Sequence, residues 1–120
     1  MISDAQFRRL LDLGLAGVHL GRPAQARALL EGLLAYKPGH APTLLGLALT
    51  HTAVNEFAPA EAILRNEVLA KNPDDPEALA ILGLTLALAG RTAEASAALE
   101  RIPGDSPAKG LARAFESAGD

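Results

Sequence analysis

The most apolar part of the chain is the stretch Ala78–Gly90, whose sequence is ALAILGLTLALAG. If these residues form a helix, leucine and alanine side chains point to every side of it. A helix of that kind is normally buried all round. Packing against the preceding and following helices would still leave Ala80, Leu84 and Leu88 without a covering neighbour. We therefore expect a further contact on that side of the helix.

Glycine, asparagine and proline residues divide the chain into seven predicted helices, and β-branched residues are too scattered for strands. Ser3 followed by Gln6 has the spacing of a capping box, which opens the first helix. Asp75 is expected to cap the fifth helix, with Pro76 at its first position. The predicted helices span about 3–20, 23–36, 41–54, 57–71, 76–90, 92–102 and 107–118.

The residues that interrupt the helices recur with a regular period. Gly21, Asn55 and Gly90 lie 34 and 35 residues apart. Two other sets keep this spacing: Ala26, Ala60 and Ala95, and Pro38, Pro73 and Pro107. Two helices in each unit of about 34 residues are typical of the tetratricopeptide repeat (TPR), with the consensus W-x2-L-G-x2-Y, then A-x3-F, then P.

The chain resembles the TPR family in three successive units. They are Leu10-x2-Leu13-Gly14-x2-Gly17…Ala26-x3-Leu30…Pro38, then Leu44-x2-Leu47-Ala48-x2-His51…Ala60-x3-Leu64…Pro73, then Leu79-x2-Leu82-Gly83-x2-Leu86…Ala95-x3-Leu99…Pro107. The consensus aromatics are missing, and the second unit has one extra residue before its proline. The small residues of the pattern let paired helices approach closely. The resemblance implies one all-α, TPR-like superhelix over residues 1–120, with repeats at about 7–40, 41–75 and 76–106 and a capping helix at about 107–118.

The resemblance also implies where a partner binds. In TPR domains the first helices of the repeats line a concave face, mainly through the second, fifth, ninth, twelfth and thirteenth positions of each unit. The predicted groove comprises Arg8, Leu11, Leu15, Val18, His19, Leu45, Leu49, Thr52, Ala80, Leu84 and Leu88.

This predicted groove is mostly apolar, and an exposed apolar patch usually marks a binding surface. Burial of each leucine contributes about 1.5–3 kcal/mol, so we expect an apolar or amphipathic helix of a partner protein to bind there. A second copy of the chain, or the chain's own last helix, could cover the apolar groove instead of a partner protein. TPR domains that clamp a C-terminal carboxylate need Lys, Asn and Arg at inward positions. Leu11, Leu15 and Leu45 stand there instead, so we expect no carboxylate clamp.

The composition of the chain argues against several classes of function. The chain has 120 residues, a net charge of −3 and no basic stripe, which argues against nucleic acid or an anionic membrane as partner. It has no cysteine, which excludes disulfides and thiolate metal sites. The longest apolar run is shorter than the roughly 20 residues of a membrane-spanning helix, and the N-terminus lacks the pattern of a signal peptide. We expect a soluble, cytoplasmic protein.

Candidate catalytic chemistry is sparse. His19, His40 and His51 are the only histidines. His40 is expected to be solvated in a turn. His19 and His51 lie on neighbouring first helices, but Asp12 and Glu56 are not expected to converge on them. There is no glycine-rich phosphate loop and no plausible Ser/His/Asp arrangement. We expect neither a metal site nor a cofactor nor enzymatic activity.

Among small TPR proteins, the chain most resembles bacterial type III secretion chaperones of the YscY-like group, with the YscG-like needle-subunit chaperones as siblings. The resemblance rests on residues 12–15 (DLGL), 20–30 (LGRPAQARALL) and 33–40 (LLAYKPGH). It implies a chaperone that keeps one small export substrate soluble and delivers it to the export gate. The alternative is a generic TPR scaffold or a self-associating structural module.

Overall fold

The computed structural model describes residues 2–104 and Lys109, except for the side chain of His19. This part of the chain contains six α-helices and no strand. They are α1 (Asp4–His19), α2 (Pro23–Tyr36), α3 (Ala41–Ala53), α4 (Phe57–Ile63, continued by a π-helical turn over Leu64–Val68), α5 (Pro76–Leu88) and α6 (Thr92–Glu100). The all-α prediction is confirmed. The predicted capping helix at 107–118 lies outside the described residues, apart from Lys109.

The helix boundaries follow the predicted signals. Ser3 and Gln6 form a reciprocal capping box, in which the Gln6 amide donates to Ser3 Oγ at 3.2 Å and the Ser3 amide donates to Gln6 Oε1 at 2.8 Å. The Ala78 amide donates to Asp75 Oδ1 at 2.9 Å, which caps α5. Asn55 has a positive φ of 65°, so it makes the left-handed turn after α3 that glycine makes after α1 and α5.

Each pair of consecutive helices forms one antiparallel repeat, and the repeats stack side by side. Contacts join α1 to α3 and α3 to α5, so these helices lie next to one another in what we call the first-helix layer. Each second helix packs on its own first helix, and those of repeats one and two also pack on the first helix of the next repeat. This is the arrangement of a TPR-like helical stack.

Small residues permit the close packing within repeats. A Cβ atom at Gly14 would lie 3.0 Å from Leu30 Cδ2, and one at Gly83 would overlap the side chain of Leu99. Gly17, which stands where the family usually has a large residue, lies against Ala26, since a Cβ atom there would be 3.1 Å from that of Ala26. The short first-helix residues therefore set the separation of the paired helices.

The second helix of repeat two differs from its predicted form. We expected one helix over about 57–71, but the α-helix ends at Ile63 and a π-helical turn continues to Val68. In that turn the Leu69 amide donates to the carbonyl of Leu64 at 2.8 Å, five residues back. A π turn holds one residue more than an α turn. It therefore absorbs the extra residue of the second unit, and both Val68 and Leu69 are buried.

Two buried clusters hold the stack together. The larger one joins repeats two and three around Leu64, Leu79, Leu82 and Leu86. The smaller one joins repeats one and two and contains Phe7, Leu11, Leu30, Leu33 and Leu47. Burial of these side chains supplies the main stabilisation of the fold.

His40 is not solvated as expected. It is half-buried between repeats one and two, with Nδ1 2.8 Å from Thr43 Oγ1 and its ring edge-on to Phe7 at 5.0 Å between centroids. Burial, and secondarily the nearby charge of Lys37, lower the pKa of this imidazole below its ordinary value. The turn between α2 and α3 is thus part of the packed interface between the repeats.

Candidate binding surface

Beyond the exposed Glu77 in its first turn, the exposed side of α5 is apolar. Leu84 is 37% exposed and Leu88 is 56% exposed, while Ala80 is partly buried on the same side, one turn apart from Leu84. The opposite side of α5 is buried in the larger cluster through Leu79, Leu82 and Leu86. The described chain therefore covers only one of the two apolar sides of α5.

Neighbouring helices extend this apolar surface in part. On α3, Leu45 and Leu49 are half-buried, and Leu45 also packs on the larger cluster. On α1, Leu15 and Val18 are half-buried. Leu15 covers the glycine of α3, since a Cβ atom at Gly46 would lie 2.7 Å from Leu15 Cδ2. The surface available to a partner is accordingly greatest on α5 and smaller on α3 and α1.

Four members of the predicted groove do not contribute to this exposed apolar surface in the described structure. Leu11 is 8% exposed and belongs to the smaller cluster, and Thr52 is buried between α3 and α5, so both offer little area to a partner. Arg8 is exposed. The side chain of His19 lies outside the described part of the chain. Position numbers within the repeat predict which helix face a residue occupies, whereas the contacts made by its neighbours determine its exposure.

The polar groups beneath the surface are satisfied internally. Thr52 Oγ1 lies 2.8 Å from Thr85 Oγ1 and 3.0 Å from the carbonyl of Ala48, and Thr85 Oγ1 lies 2.8 Å from the carbonyl of Ile81. Among the described residues, every buried side-chain polar atom has a hydrogen-bond partner. The first-helix layer therefore offers apolar contact without unpaired buried donors or acceptors, which suits an apolar ligand surface.

An ion-pair network joins the second helices of repeats two and three. Arg91 Nη1 lies 2.7 Å from Glu61 Oε1, and Arg65 Nε lies 2.8 Å from Glu61 Oε2. Hydrogen bonds from Arg91, and then from Arg65, lower the pKa of the Glu61 carboxyl. This ion-pair network ties α4 to the start of α6 on the side away from the first-helix layer.

A second polar cluster lies at the end of α3, where the expectation that Glu56 does not converge on a histidine is wrong. His51 Nδ1 is 2.9 Å from Glu56 Oε1, and Arg27 Nη1 is 3.3 Å from the same oxygen. The cluster borders a cavity of about 330 Å³ between α2 and α3. In the described residues no three His, Asp or Glu side chains converge as metal ligands. This arrangement fixes the turn between α3 and α4 around Asn55.

Four further large apolar side chains are exposed outside the predicted groove: Leu13, Leu20, Tyr36 and Val54. Their positions within the repeat gave no reason to expect exposure.

No described helix is both long enough and apolar enough to cross a bilayer.

Comparison with known proteins agrees with this architecture. A tetratricopeptide repeat family model matches residues 18–66. The chain is 34% identical over 108 residues to cellulose synthase operon protein C of Pseudomonas fluorescens (strain SBW25). That alignment covers 90% of the chain but only 8% of the length of this relative.

The fold also matches a solved structure, the type III secretion translocator chaperone SycD of Yersinia enterocolitica in an alternative dimer. The TM-score is 0.80, with 20% sequence identity, and the match covers 96% of this chain and 89% of that one. At this level of identity the similarity establishes the fold. Together with the family model over residues 18–66 and the repeat pattern, it supports the description of the chain as a tetratricopeptide repeat protein, with a fold that resembles that of this chaperone.

Proposed function

We propose that this protein is a cytoplasmic, non-catalytic chaperone of type III secretion, which holds an amphipathic helix of a small export substrate. The helix lies against the first-helix layer, with its apolar side on Leu84 and Leu88 and its edges near Leu45, Leu49 and Val18. The observation that carries the proposal is the exposed apolar side of α5, which the rest of the described chain leaves uncovered.

The chemistry of this surface fits such a ligand. Ala80, Leu84 and Leu88 recur at every fourth position of α5 and form a ridge against which the apolar residues of a second helix can pack. The threonine hydroxyls behind the ridge are already paired, so the bound helix needs no polar residue at the centre of the contact. Its own polar side would remain in water. The similarity of fold to a translocator chaperone supports this assignment.

The alternative is a TPR scaffold or a self-associating structural module. It is favoured by one finding: the relative from Pseudomonas fluorescens contains the similar stretch within a chain of which it forms 8%. A scaffold would bind partners that are stable on their own, whereas a chaperone stabilises a substrate that aggregates without it.

Co-expression separates the two proposals. The tagged chain is expressed with each small protein encoded beside its gene, and complexes are measured by size-exclusion chromatography with light scattering. A chaperone yields a soluble 1:1 complex with a small protein that is insoluble when expressed alone. If every neighbouring product that binds is equally soluble without the chain, the chaperone assignment is wrong.

Matched variants test the surface. Leu84→Asp and Leu88→Asp should each abolish the complex, because a carboxylate would be desolvated against the bound helix. Val54→Asp is the control, since Val54 is similarly exposed but lies at the end of α3. Circular dichroism should show unchanged helicity in all three variants. Binding that survives both α5 substitutions would place the substrate elsewhere.

A further inference from the structure

The two boundaries between repeats carry ion-pair networks of similar layout and opposite sign. At the boundary of repeats one and two, the Arg27 guanidinium lies 3.0 Å from Glu31 Oε1 and 3.3 Å from Glu56 Oε1. Glu31 is four residues further along α2, and Glu56 follows the turn after α3. We call these three residues the first boundary network. Its centre is basic, and both partners of that centre are acidic.

The second boundary network joins repeats two and three and comprises Glu61, Arg65 and Arg91. Arg65 Nε lies 2.8 Å from Glu61 Oε2, and Arg91 Nη1 lies 2.7 Å from Glu61 Oε1. Arg91 also pairs with Glu94 in the first turn of α6. In this network the centre is acidic, and both partners of that centre are basic.

The members of the two networks occupy equivalent positions of the repeat. In each network the centre directly follows the recurring alanine of its second helix, and one partner lies four residues further. The other partner directly follows the turn residue of the next repeat. In repeat three the position equivalent to Arg27 and Glu61 is Ser96, which carries no charge. Among the three described second helices, each network therefore has one that carries the matching charge.

The apolar contacts at the two boundaries are less distinctive than the charges. Leu30 of α2 and the equivalent Leu64 are both completely buried. Each lies in a cluster with a leucine of the next first helix, Leu47 on α3 or Leu82 on α5, and these two leucines are also equivalent. Hydrophobic attraction follows buried area and has no direction. These leucines would therefore favour α2 on α5 about as much as α2 on α3.

We propose that the two boundary networks determine which second helix packs on which first helix, and so keep the repeats in chain order. If α2 packed on α5, Arg27 would face Arg91. If α4 of one copy packed on α3 of another copy, Glu61 would face Glu56. Misassembly of this kind is a characteristic failure of repeat proteins. The proposal goes beyond the proposed function, because it concerns contacts between repeats and not the exposed side of α5.

The exposure of the networks suits this role. Their side chains are 20–55% exposed, and ion pairs of that kind add little to the free energy of unfolding. Discrimination depends instead on the difference between two packings. Like charges in place of an attractive pair shift the balance between a correct and an incorrect packing several-fold.

A sign-reversed variant tests the proposal, because it keeps the ion pairs and removes the difference in sign. It carries four substitutions at the second boundary: Glu61→Arg, Arg65→Glu, Arg91→Glu and Glu94→Arg. The net charge stays at −3. The reversed network can form the same pairs, so the urea midpoint should match that of the wild type. If α2 packed on α5 in this variant, Arg27 would meet a carboxylate at position 91.

Cross-linking during refolding measures the incorrect packing. The chain has no cysteine, so introduced thiols have no competitors. Ala28→Cys with Val54→Cys reports the native boundary, because both residues line the cavity between α2 and α3. Ala28→Cys with Ala89→Cys reports α2 on α5, since Ala89 is equivalent to Val54. On dilution from urea with a short bismaleimide, this second pair should cross-link several-fold more in the sign-reversed variant than with wild-type charges.

Salt provides an independent comparison. In about 1 M sodium chloride the Debye length falls to about 3 Å, so wild-type charges should then give as much Ala28→Cys/Ala89→Cys cross-link as the variant. Equal cross-linking by the two charge sets at low salt would overturn the proposal. A wild-type yield that salt leaves unchanged would overturn it as well.

A single reversal tests whether the second boundary network forms in solution. Arg91→Glu alone should lower the urea midpoint of the full chain, because residue 91 then repels Glu61 and Glu94. The sign-reversed variant contains the same substitution and should recover the wild-type midpoint. An Arg91→Glu variant as stable as the wild type would contradict the proposal, since charges that do not interact cannot select a packing.

Discussion

Thr52 on α3 and Thr85 on α5 bring their hydroxyl oxygens to 2.8 Å across the boundary between repeats two and three. Each oxygen also lies within hydrogen-bond distance of the carbonyl four residues back in its own helix. The two hydroxyls have two protons for three contacts. One therefore donates to the other, and the second donates to its helix carbonyl, so the pair acts as a unit.

Replacing one threonine of this pair should lower the free energy of unfolding by more than half as much as replacing both. Thr52→Val or Thr85→Val alone should lower the free energy of unfolding by about 1–2 kcal/mol, because the remaining buried hydroxyl loses a partner. The double variant removes both polar groups and should cost less than the sum. Urea denaturation of the four proteins measures the coupling. Strict additivity would mean that the hydroxyls do not interact in solution.

The π-helical turn predicts an unusual tolerance to deletion. Removing the exposed Asn66 should convert the π turn into regular α-helix. Val68 and Leu69 would then follow Leu64 by three and four residues and would still face the core. The deletion should therefore preserve cooperative unfolding. Deletion of Ala97 from α6, where no extra residue exists, rotates Ala98 and Leu99 away from the core and should unfold repeat three. Equal damage from the two deletions would contradict the assignment of the extra residue to this turn.

Two glycines should respond oppositely to alanine. Gly83→Ala places a methyl group into the buried side chain of Leu99, and overpacking of that kind costs about 1–3 kcal/mol. Gly32→Ala meets no atom within 4 Å and should stabilise the folded protein by roughly 0.5–1 kcal/mol. Thermal or urea unfolding at low protein concentration compares them. A stabilised Gly83→Ala variant would show that α5 and α6 are further apart than described.

His40 predicts a pH dependence of stability. Burial lowers the pKa of its imidazole below 6.5, so the unfolded chain binds more protons than the folded one between the two pKa values. Stability should therefore be complete above about pH 6.5 and fall as the pH is lowered through that value. His40→Asn should flatten this part of the curve. Urea midpoints between pH 5 and 8 provide the measurement, and identical slopes in both proteins would exclude His40 as the cause.

The sequence predicted the fold well because turn residues determine helix ends locally. The α2 boundaries, Pro23–Tyr36, match the prediction, and Asn55 adopts the left-handed turn expected from its place in the period. The π turn was missed, since an extra residue can be absorbed in a loop or in a helix without changing the repeat pattern.

Exposure was harder to predict than fold. Leu13 has the same repeat position as Leu47 and Leu82, and only the absence of a preceding described helix separates them. Leu11 and Thr52 were assigned to the groove by position, yet the packing of adjacent helices buries both. Spacing along one helix predicts the direction of a side chain, whereas burial depends on contacts between helices.

Leucine methyl NMR of the complex with the co-expressed substrate tests the central claim most directly. The account predicts that the methyl signals of Leu84 and Leu88 shift on binding, with smaller shifts for Leu45 and Leu49. The signals of Leu13 and Leu20, which are at least as exposed, should not move. Shifts confined to Leu13 and Leu20, with Leu84 and Leu88 unchanged, would contradict the assignment of the substrate to the first-helix layer.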